Sequence, residues 1–341
     1  MENPNLFLVK SNSYDPWFNL ALEEYLYDSI PEQSVILYLW QNQNTVVIGK
    51  SQNAWKECRV SELEADGGKL ARRPSGGGAV FHDLGNMCYT FIASSGLYDQ
   101  EKQLRVILGA VKEQGIEARF TGRNDITTED GRKFSGNAFR FSTRKGLMHG
   151  TLLLDTDPAK MARYLQVSKA KMQAKGVDSV RARVVNLIEL NPSISADQMA
   201  ASLRKAFYGH YGPWETERVY SDAEIPAEIK PYYEKYASWA WRFGETPEFG
   251  MTFETRFSWG GFDVSIAAEK GVIRDIGIYT DAMDAELAEI VKDSLQGCKL
   301  SYDDICTNIK NAIALLAAGS GMLADPALVA EDLCGWFGEI L

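Results

Sequence analysis

The feature that most constrains this chain is the run RRPSGGGAVFHD at residues 72–83. Consecutive glycines let the backbone adopt conformations closed to other residues and let a ligand approach it closely. The guanidinium groups of Arg72 and Arg73 match the geometry of carboxylate and phosphate oxygens. The residues after the glycines are typical of a strand. The run therefore predicts an anion-holding loop before a strand, and the alternative is a tight surface turn with solvated arginines.

The composition predicts a globular protein of about two domains. The chain has 341 residues, 45% of them hydrophobic and 24% charged, with a formal net charge of −10. This charge disfavours non-specific binding to nucleic acid or to an anionic membrane. The five cysteines show no CxxC spacing and indicate reduced thiols. No signal-peptide pattern is evident, and the apolar stretch 313–330 is interrupted by Gly, Asp and Pro. We expect a cytoplasmic protein without a membrane span.

Helix and strand signals mix without a regular βαβ rhythm, which predicts an α+β (mixed α/β) fold. Asp15-Pro16 is typical of a helix start. Ser195 with Gln198 is a capping-box signature for a helix that reaches Tyr211. Gly115 ends a helix predicted from Arg105. The predicted strands cover residues 35–40, 45–48, 79–82, 87–93, 132–141 and 146–155.

A connection rich in glycine and proline is predicted at 241–252, where Gly244, Pro247 and Gly250 fall. It divides the chain into domains of residues 1–245 and 246–341. Beyond it, residues 256–279 resemble a small strand meander, and two or three helices follow. The last part has no convergent set of His, Asp or Arg side chains. We therefore expect the chemistry to lie before residue 245.

Two further clusters carry positive charge. Lys133 precedes the small residues Ser135-Gly136-Asn137 and follows the turn 122–125 of sequence Gly-Arg-Asn-Asp. An ammonium there is suited to bridge a phosphate and a carbonyl oxygen, although a lysine on a strand is more often solvated. Residues 160–183 hold seven Lys or Arg against one Asp. This segment is interpreted as a solvated face or as a flap that closes over polyphosphate.

Several common sites are excluded by spacing. The glycine run is not a P-loop, because no Gly-Lys-Ser/Thr follows it. It is not a dinucleotide-binding fingerprint, because a strand-like segment follows instead of a helix. His82, His149 and His210 show no zinc spacing with any cysteine. Cys58 and Cys88 are interpreted as packing residues.

Taken together, the ordered segments resemble the lipoate–protein ligase family. The resemblance implies a biotin/lipoate ligase-like catalytic domain with mixed sheets and flanking helices. It implies less specifically, through residues 257–261, a small C-terminal α+β accessory domain of the bacterial two-domain type. The matching segments are residues 13–20, 45–49, 72–86, 122–125, 133–136, 149–154 and 175–183.

The family resemblance implies a two-step reaction. Lipoate and ATP, with Mg²⁺, would give lipoyl-AMP and pyrophosphate. The lipoyl group would then pass to a specific lysine of apo lipoyl domains in 2-oxoacid dehydrogenase complexes or of the glycine cleavage H protein. The same resemblance implies a monomer.

The resemblance also implies a role for each matching residue. Lys133 would be the catalytic residue, contacting both nucleotide and lipoyl carbonyl, and Asp125 would be a candidate Mg²⁺ ligand. The remaining implied ATP contacts are Arg73, Gly78, Ala79, Val80, Phe81, Asn124, Asp125, Lys175 and Arg183. The remaining implied lipoate contacts are Trp40, Arg72, Ser75, Gly76, Gly77, His82 and His149.

Small departures and alternatives accompany this assignment. Pro74 stands where the family commonly has Ser, and Asn137-Ala138-Phe139 replaces a variant with smaller residues; neither removes a named role. One alternative is a lipoyl or octanoyl transferase of the same fold without its own adenylation. Relatives with a Cys nucleophile are disfavoured because no cysteine lies in the segments around Lys133 or His149. Another alternative is a silent adenylate-binding sensor, against which the retention of Arg73, Asp125 and Lys133 argues.

Overall fold

The computed structural model describes residues 4–121, 124–166, 184–243, 251–269, 271–319 and 322–340. Three sheets organise them: one of eight strands, one of three strands beside it, and a second three-stranded sheet near the C-terminus. The strands are β1 Asn5–Ser11, β2 Ser34–Trp40, β3 Thr45–Ile48, β4 Lys69–Arg72, β5 Val80–His82, β6 Asn86–Ser94, β7 Ala118–Thr121, β8 Asp125–Thr128, β9 Lys133–Phe141, β10 Lys145–Leu153, β11 Thr216–Tyr220, β12 Met251–Phe257, β13 Gly260–Glu269 and β14 Val272–Thr280.

Helices flank these sheets, and their ends follow the sequence signals. The Asp15 side chain accepts a hydrogen bond from the Trp17 amide, and Pro16 is the first helical residue of α1. Ser195 and Gln198 form the expected capping box. The helices are α1 Pro16–Ser29, α2 Ala54–Glu57, α3 Val60–Ala65, α4 Gln100–Glu113, α5 Pro158–Tyr164, α6 Ala196–Tyr211, α7 Lys230–Ala237, α8 Trp239–Phe243, α9 Leu287–Leu295, α10 Tyr302–Gly319 and α11 Pro326–Ile340, with a 3₁₀ turn at Leu187–Glu189.

The large sheet is mixed, with the strand order β11-β1-β2-β6-β10-β9-β8-β7. Strand β1 pairs in parallel with β11 and β2, and the remaining neighbours are antiparallel. In the register of the central strands, Trp40 faces Cys88, Cys88 faces Thr151, and Gly150 faces Asn137. These four strands place residues that are distant in sequence on one row across the sheet, which holds Trp40, Cys88 and Thr151, and on the row next to it, which holds Gly150 and Asn137.

The small sheet, β4-β3-β5, lies beside this row and carries the glycine-rich loop. Strand β3 pairs in parallel with β4 and antiparallel with β5. The loop 73–79 therefore connects two strands that flank the same partner. This arrangement confirms the strand predicted after the glycines and fixes both ends of the loop.

The C-terminal part has its own sheet and core. Strands β12, β13 and β14 form an antiparallel meander, and the three helices α9–α11 pack on it. The mixed α+β architecture with a C-terminal accessory domain confirms the predicted fold class. The expected boundary at residues 245/246 falls within 244–250, outside the described residues, and stays a prediction. Within the described ranges, no helix combines the length and hydrophobicity needed to cross a bilayer.

Candidate active site

A narrow cavity of about 150 Å³, called here the slot, crosses the row of central strands. Ten of the expected site residues contribute to its wall: Trp40, Arg73, Gly77, Gly78, Ala79, Val80, His82, Asn124, Lys133 and His149. The other lining residues are Leu20, Val47, Cys88, Gly136, Asn137, Ala138, Gly150 and Thr151. The slot thus brings together the glycine-rich loop, the Lys133 segment and the His149 strand.

The glycines of the loop are needed for close approach. A Cβ on Gly76 would collide with the backbone carbonyls of Ala282 and Met283, and Gly77 has φ +90°. The Gly77 amide donates a hydrogen bond of 2.9 Å to the Ala282 carbonyl. The loop is therefore held between the slot and the C-terminal domain.

Arg73 lies beneath this loop, and it is almost fully buried. Its guanidinium donates to the carbonyls of Gly76, Gly78 and Val47 at 2.7–3.2 Å. Burial lowers the pKa of Arg73 to about 10, so the group stays charged at neutral pH. Among the described residues no carboxylate pairs with it within ion-pair distance. A buried positive charge that donates only to carbonyl groups, with the Glu23 and Glu57 carboxylates acting on it from beyond ion-pair distance, favours an anion in the slot.

Arg72 points away from the slot, which corrects the expectation that it contacts lipoate. Its guanidinium donates to the carbonyls of Gly49, Lys50 and Gln52. It also donates to the carbonyls of Trp241 and Arg242. Arg72 therefore ties the segment after β3 to helix α8. It ends β4, and the next residue, Arg73, still pairs with Ile48 through its amide, so the two side chains leave successive extended residues on opposite sides.

Ser75 and His149 form part of a buried polar chain behind the slot. His149 Nε2 lies 2.7 Å from Ser75 Oγ, and His149 Nδ1 lies 2.9 Å from Glu23 Oε1. Glu23 also accepts from Thr90, at 2.6 Å. The pattern resembles a Ser-His-acid triad, but Ser75 is fully buried and does not line the slot. This chain of hydrogen bonds therefore fixes the glycine-rich loop to β10 and α1, and Ser75 is not placed to act as a nucleophile.

A second cavity, of about 540 Å³, adjoins the slot. Five residues line both cavities: Ala79, Val80, Lys133, Gly136 and Thr151. Of the expected ATP contacts, Phe81 and Asp125 line only the second cavity, and Arg73, Gly78 and Asn124 line only the slot. Gly76 and Ser75 line neither of the two.

Lys133 stands at the junction of the two cavities. Its Nζ lies 2.7 Å from Asp125 Oδ1, and both side chains are about one-third exposed. A Cβ on Gly136 would come within 3.0 Å of this Nζ, so the glycine leaves room for the ammonium. The Val185 amide donates to the Lys133 carbonyl at 2.9 Å, which brings the chain after residue 183 beside the lysine.

Part of the expected site lies outside the described residues. Gly122, Arg123, Lys175 and Arg183 belong to this part, as does most of the basic segment 160–183. The neighbouring residues Leu165 and Val184 line the second cavity. The roles of Lys175 and Arg183 stay predictions.

The carboxylates that the structure describes near the two cavities are too few to hold a metal ion by themselves, but they fit a magnesium ion that also binds a phosphate ligand. Among the described residues no group of three or more His, Cys, Asp or Glu is placed to hold a metal. Asp125 supplies one carboxylate to the wall of the second cavity. Since Mg²⁺ usually takes only one or two carboxylates and otherwise binds water and phosphate oxygens, a single aspartate is compatible with it.

Sequence reasoning missed Glu23, Asn42 and Cys88 as parts of the site. Cys88 lines the slot and pairs in register with Thr151, so strand pairing brings a cysteine to the His149 strand from outside the segments around Lys133 and His149. Burial and the nearby Glu23 carboxylate raise the pKa of the Cys88 thiol well above its usual value. Because the thiolate is the nucleophilic form, Cys88 is a wall residue and not an activated nucleophile.

Comparison with known proteins agrees with this geometry. Residues 15–208 match the lipoyl protein ligase A/B catalytic domain, and residues 246–318 match the bacterial lipoate protein ligase C-terminus. P. falciparum LipL1, solved in complex with lipoate, is 29% identical with a TM-score of 0.80; the alignment covers 97% of this chain and 98% of that one.

Two further solved structures share the fold. A bipartite lipoate protein ligase from Thermoplasma acidophilum, solved in a study with its E2 lipoyl domain, is 24% identical with a TM-score of 0.62, over 74% of this chain and 100% of that one. A lipoate-protein ligase A bound with ATP is 24% identical with a TM-score of 0.60, over 71% of this chain and 99% of that one. The catalytic-domain match spans more than half of the chain, and the chain therefore belongs to the lipoyl protein ligase A/B family.

Proposed function

We propose that this protein is an ATP-dependent lipoate–protein ligase. The observation that carries the proposal is Lys133, which lines both the small slot and the larger cavity beside it. Two cavities of different character that share one ammonium suit the joining of two substrates. P. falciparum LipL1 in complex with lipoate and the ligase A bound with ATP support the same pair of ligands.

In the first step, a carboxylate oxygen of lipoate attacks the α-phosphorus of ATP. The bond between that phosphorus and the bridging oxygen breaks, and pyrophosphate leaves. Lys133 and Arg73 are the Lys and Arg side chains on the described slot wall, and they place positive charge beside the reacting groups. Fixed charges in a site that excludes water stabilise the developing negative charge without reorganisation.

In the second step, the neutral amine of an acceptor lysine attacks the lipoyl carbonyl carbon. An amide bond forms, AMP leaves, and the amine loses a proton. Holding the adenylate in a fixed geometry makes the attack effectively unimolecular. The Ser75–His149–Glu23 chain contributes by holding the glycine-rich loop in place.

The metal and acceptor assignments are part of the proposal. Mg²⁺ would bind nucleotide phosphates and Asp125, and it would supply charge neutralisation at the phosphates. We propose apo lipoyl domains of 2-oxoacid dehydrogenase complexes and the glycine cleavage H protein as acceptors. The monomeric state and the cytoplasmic location stay predictions.

A transferase without adenylation receives less support. A Cys-based acyl transfer requires an activated thiol, and burial works against this at Cys88. The second cavity, which adjoins the slot at Lys133, has no use in a transferase that takes its acyl group from an octanoyl carrier. A transferase that takes preformed lipoyl-AMP would fill both cavities, and pyrophosphate release separates it from the ligase.

The deciding experiment supplies ATP, Mg²⁺, lipoate and an apo lipoyl domain, and measures pyrophosphate and acceptor mass. The ligase should release pyrophosphate only when lipoate is present and should modify the acceptor. Acceptor modification from supplied lipoyl-AMP without any pyrophosphate release would replace the proposal with the transferase. Failure of both reactions would overturn both.

A further inference from the structure

The imidazole of His82 is placed at the end of the slot away from Lys133. It lies in β5, it is almost fully buried, and it lines the slot. Its Nδ1 is 3.1 Å from Asn42 Nδ2 and 3.6 Å from Cys88 Sγ. Both neighbours can donate a hydrogen, so Nδ1 is the accepting nitrogen of the ring.

A chain of amides fixes this assignment. Asn19 Nδ2 donates to the carbonyls of Ser13 and Gln41, which can only accept. The same Nδ2 lies 3.0 Å from Asn42 Oδ1, which must therefore be the oxygen of that amide. Asn42 Nδ2 is then the donor toward His82 Nδ1, and the ring proton sits on Nε2. Burial and the charges of Arg73 and His149 lower the pKa of His82 to about 3, which keeps this neutral form at physiological pH.

The Nε2–H donor is buried and has no hydrogen-bond partner among the described residues. The other ring N–H at this end of the slot is already engaged, because Trp40 Nε1 donates to Thr90 Oγ1 at 3.0 Å. A buried N–H without a partner costs free energy, so such a group in a cavity wall points to a ligand acceptor.

The direction of the slot indicates which ligand atom reaches His82. The slot runs from Lys133 and Gly136 on β9 across β10 and β6 to Trp40 on β2. Neighbouring strands lie about 4.8 Å apart, so this row spans about 14 Å. A lipoyl carboxylate at Lys133 therefore places the dithiolane ring beside Trp40 and His82.

We propose that His82 Nε2–H donates a hydrogen bond to a dithiolane sulfur and thereby selects lipoate over all-carbon acyl acids. The inference rests on the proposed function, because it takes the lipoyl carboxylate to lie at Lys133. An all-carbon ligand of the same shape would bury the N–H with no acceptor. A site built around a polar contact rejects ligands that lack the partner atom.

The test compares two acids that differ only at the sulfurs. Lipoate and 5-cyclopentylpentanoate have the same chain and a five-membered ring, and calorimetric titration of the full-length protein measures both dissociation constants. Since a net hydrogen bond and the avoided unpaired donor act together, we expect about tenfold tighter binding of lipoate. His82→Phe should remove this preference, and His82→Gln, which keeps an amide N–H, should retain part of it.

The affinity for 5-cyclopentylpentanoate is the internal control for folding and slot shape in each variant. Equal affinities for the two acids in the unmodified protein would overturn the inference, as would an undiminished preference in His82→Phe. Either outcome with intact lipoate binding and pyrophosphate release leaves the proposed ligase function standing. Absence of lipoate binding together with absence of pyrophosphate release would overturn both.

Discussion

The two cavities that meet at Lys133 are built in different ways. The slot is walled by central strands, and its buried polar groups are bonded mainly to one another. The second cavity shares β5, β6, β9 and β10 with the slot, and its wall is extended by the outer strands β7 and β8 and by Leu165 and Val184, which flank the segment 167–183. Positions on a packed sheet hold atoms more precisely than peripheral ones. Under the proposed function, discrimination of the acyl group would reside in the central strands, whereas the outer part of the second cavity would hold much of the nucleotide.

The largest effect on activity is expected at Lys133, which lines both cavities. Lys133→Ala should reduce pyrophosphate release by about 10²–10³-fold, because a fixed charge beside the reacting phosphate is lost. Lipoate binding measured by calorimetry should persist. The control is Lys205→Ala, which removes an exposed lysine paired with Glu113. Near-normal turnover of the Lys133 variant would show that the junction of the cavities is not where the chemistry occurs.

The second largest effect is expected on stability, at Arg72, which lines neither cavity. Arg72→Met should lower the free energy of unfolding by about 3 kcal/mol, since five backbone carbonyls lose their donor. Urea unfolding measures the change. Arg105→Met, at an exposed arginine paired with Glu101, is the matched control. A loss as small as in that control would argue that Arg72 does not hold the segments behind the slot.

The pH dependence of the free energy of unfolding tests whether His82, on the slot wall, is buried as a neutral imidazole. The folded-state pKa of His82 is about 3, below the usual value near 6.5. Between these values the unfolded chain binds the proton more readily, so stability falls as pH drops below about 6.5. From pH 7 to pH 5 the His82 contribution should be about 2 kcal/mol.

This contribution is measured as a difference between proteins. Urea unfolding at pH 7 and pH 5 should show a smaller acid loss in His82→Gln than in the unmodified chain. Because all other titrating groups are common to both, their effects cancel in the comparison. Identical acid losses would mean that the imidazole is not buried in its neutral form.

The smallest effect concerns the peripheral cavity alone. Thr121 is half-buried on β7 and lines the second cavity but not the slot. Thr121→Trp should weaken ATP binding about tenfold by filling nucleotide space, which corresponds to about 1.4 kcal/mol. Lipoate binding should be unchanged. Equal weakening of both ligands would contradict the division of labour between the cavities.

Local elements were largely predictable from the sequence. The strand Thr45–Ile48 and the helix ending at Tyr211 have the expected bounds, because β-branched runs and a capping box act over a few residues. Helix α4 begins at Gln100 and not near Arg105, because the Asp99 side chain caps it by accepting from the Lys102 amide. The first turn of α4 is polar and lacks the hydrophobic spacing from which a helix start can be predicted.

The site was predictable as a set of segments, but not in its long-range contacts. Gly77 and Gly78 of the glycine-rich loop lie on the wall of the slot, and Lys133 lies on the walls of both cavities, whereas their roles in binding stay predictions. The bond between Glu23 and His149 joins residues 126 positions apart, and Arg72 reaches carbonyls 169 and 170 positions away. Such pairs depend on strand order and register, which single-sequence patterns do not specify.

The hydrogen bond from Gly77 to Ala282 bears on how such enzymes can be recombined. The Ala282–Met283 backbone rests on the loop that walls the slot, and Met283 packs with the core of the large sheet. An accessory domain borrowed from another protein would thus need the same few backbone atoms in the same place, whatever its remaining surface. The C-terminal domain therefore cannot be exchanged without regard to this contact. A chimera should take residues 280–285 and the glycine-rich loop from the same parent protein.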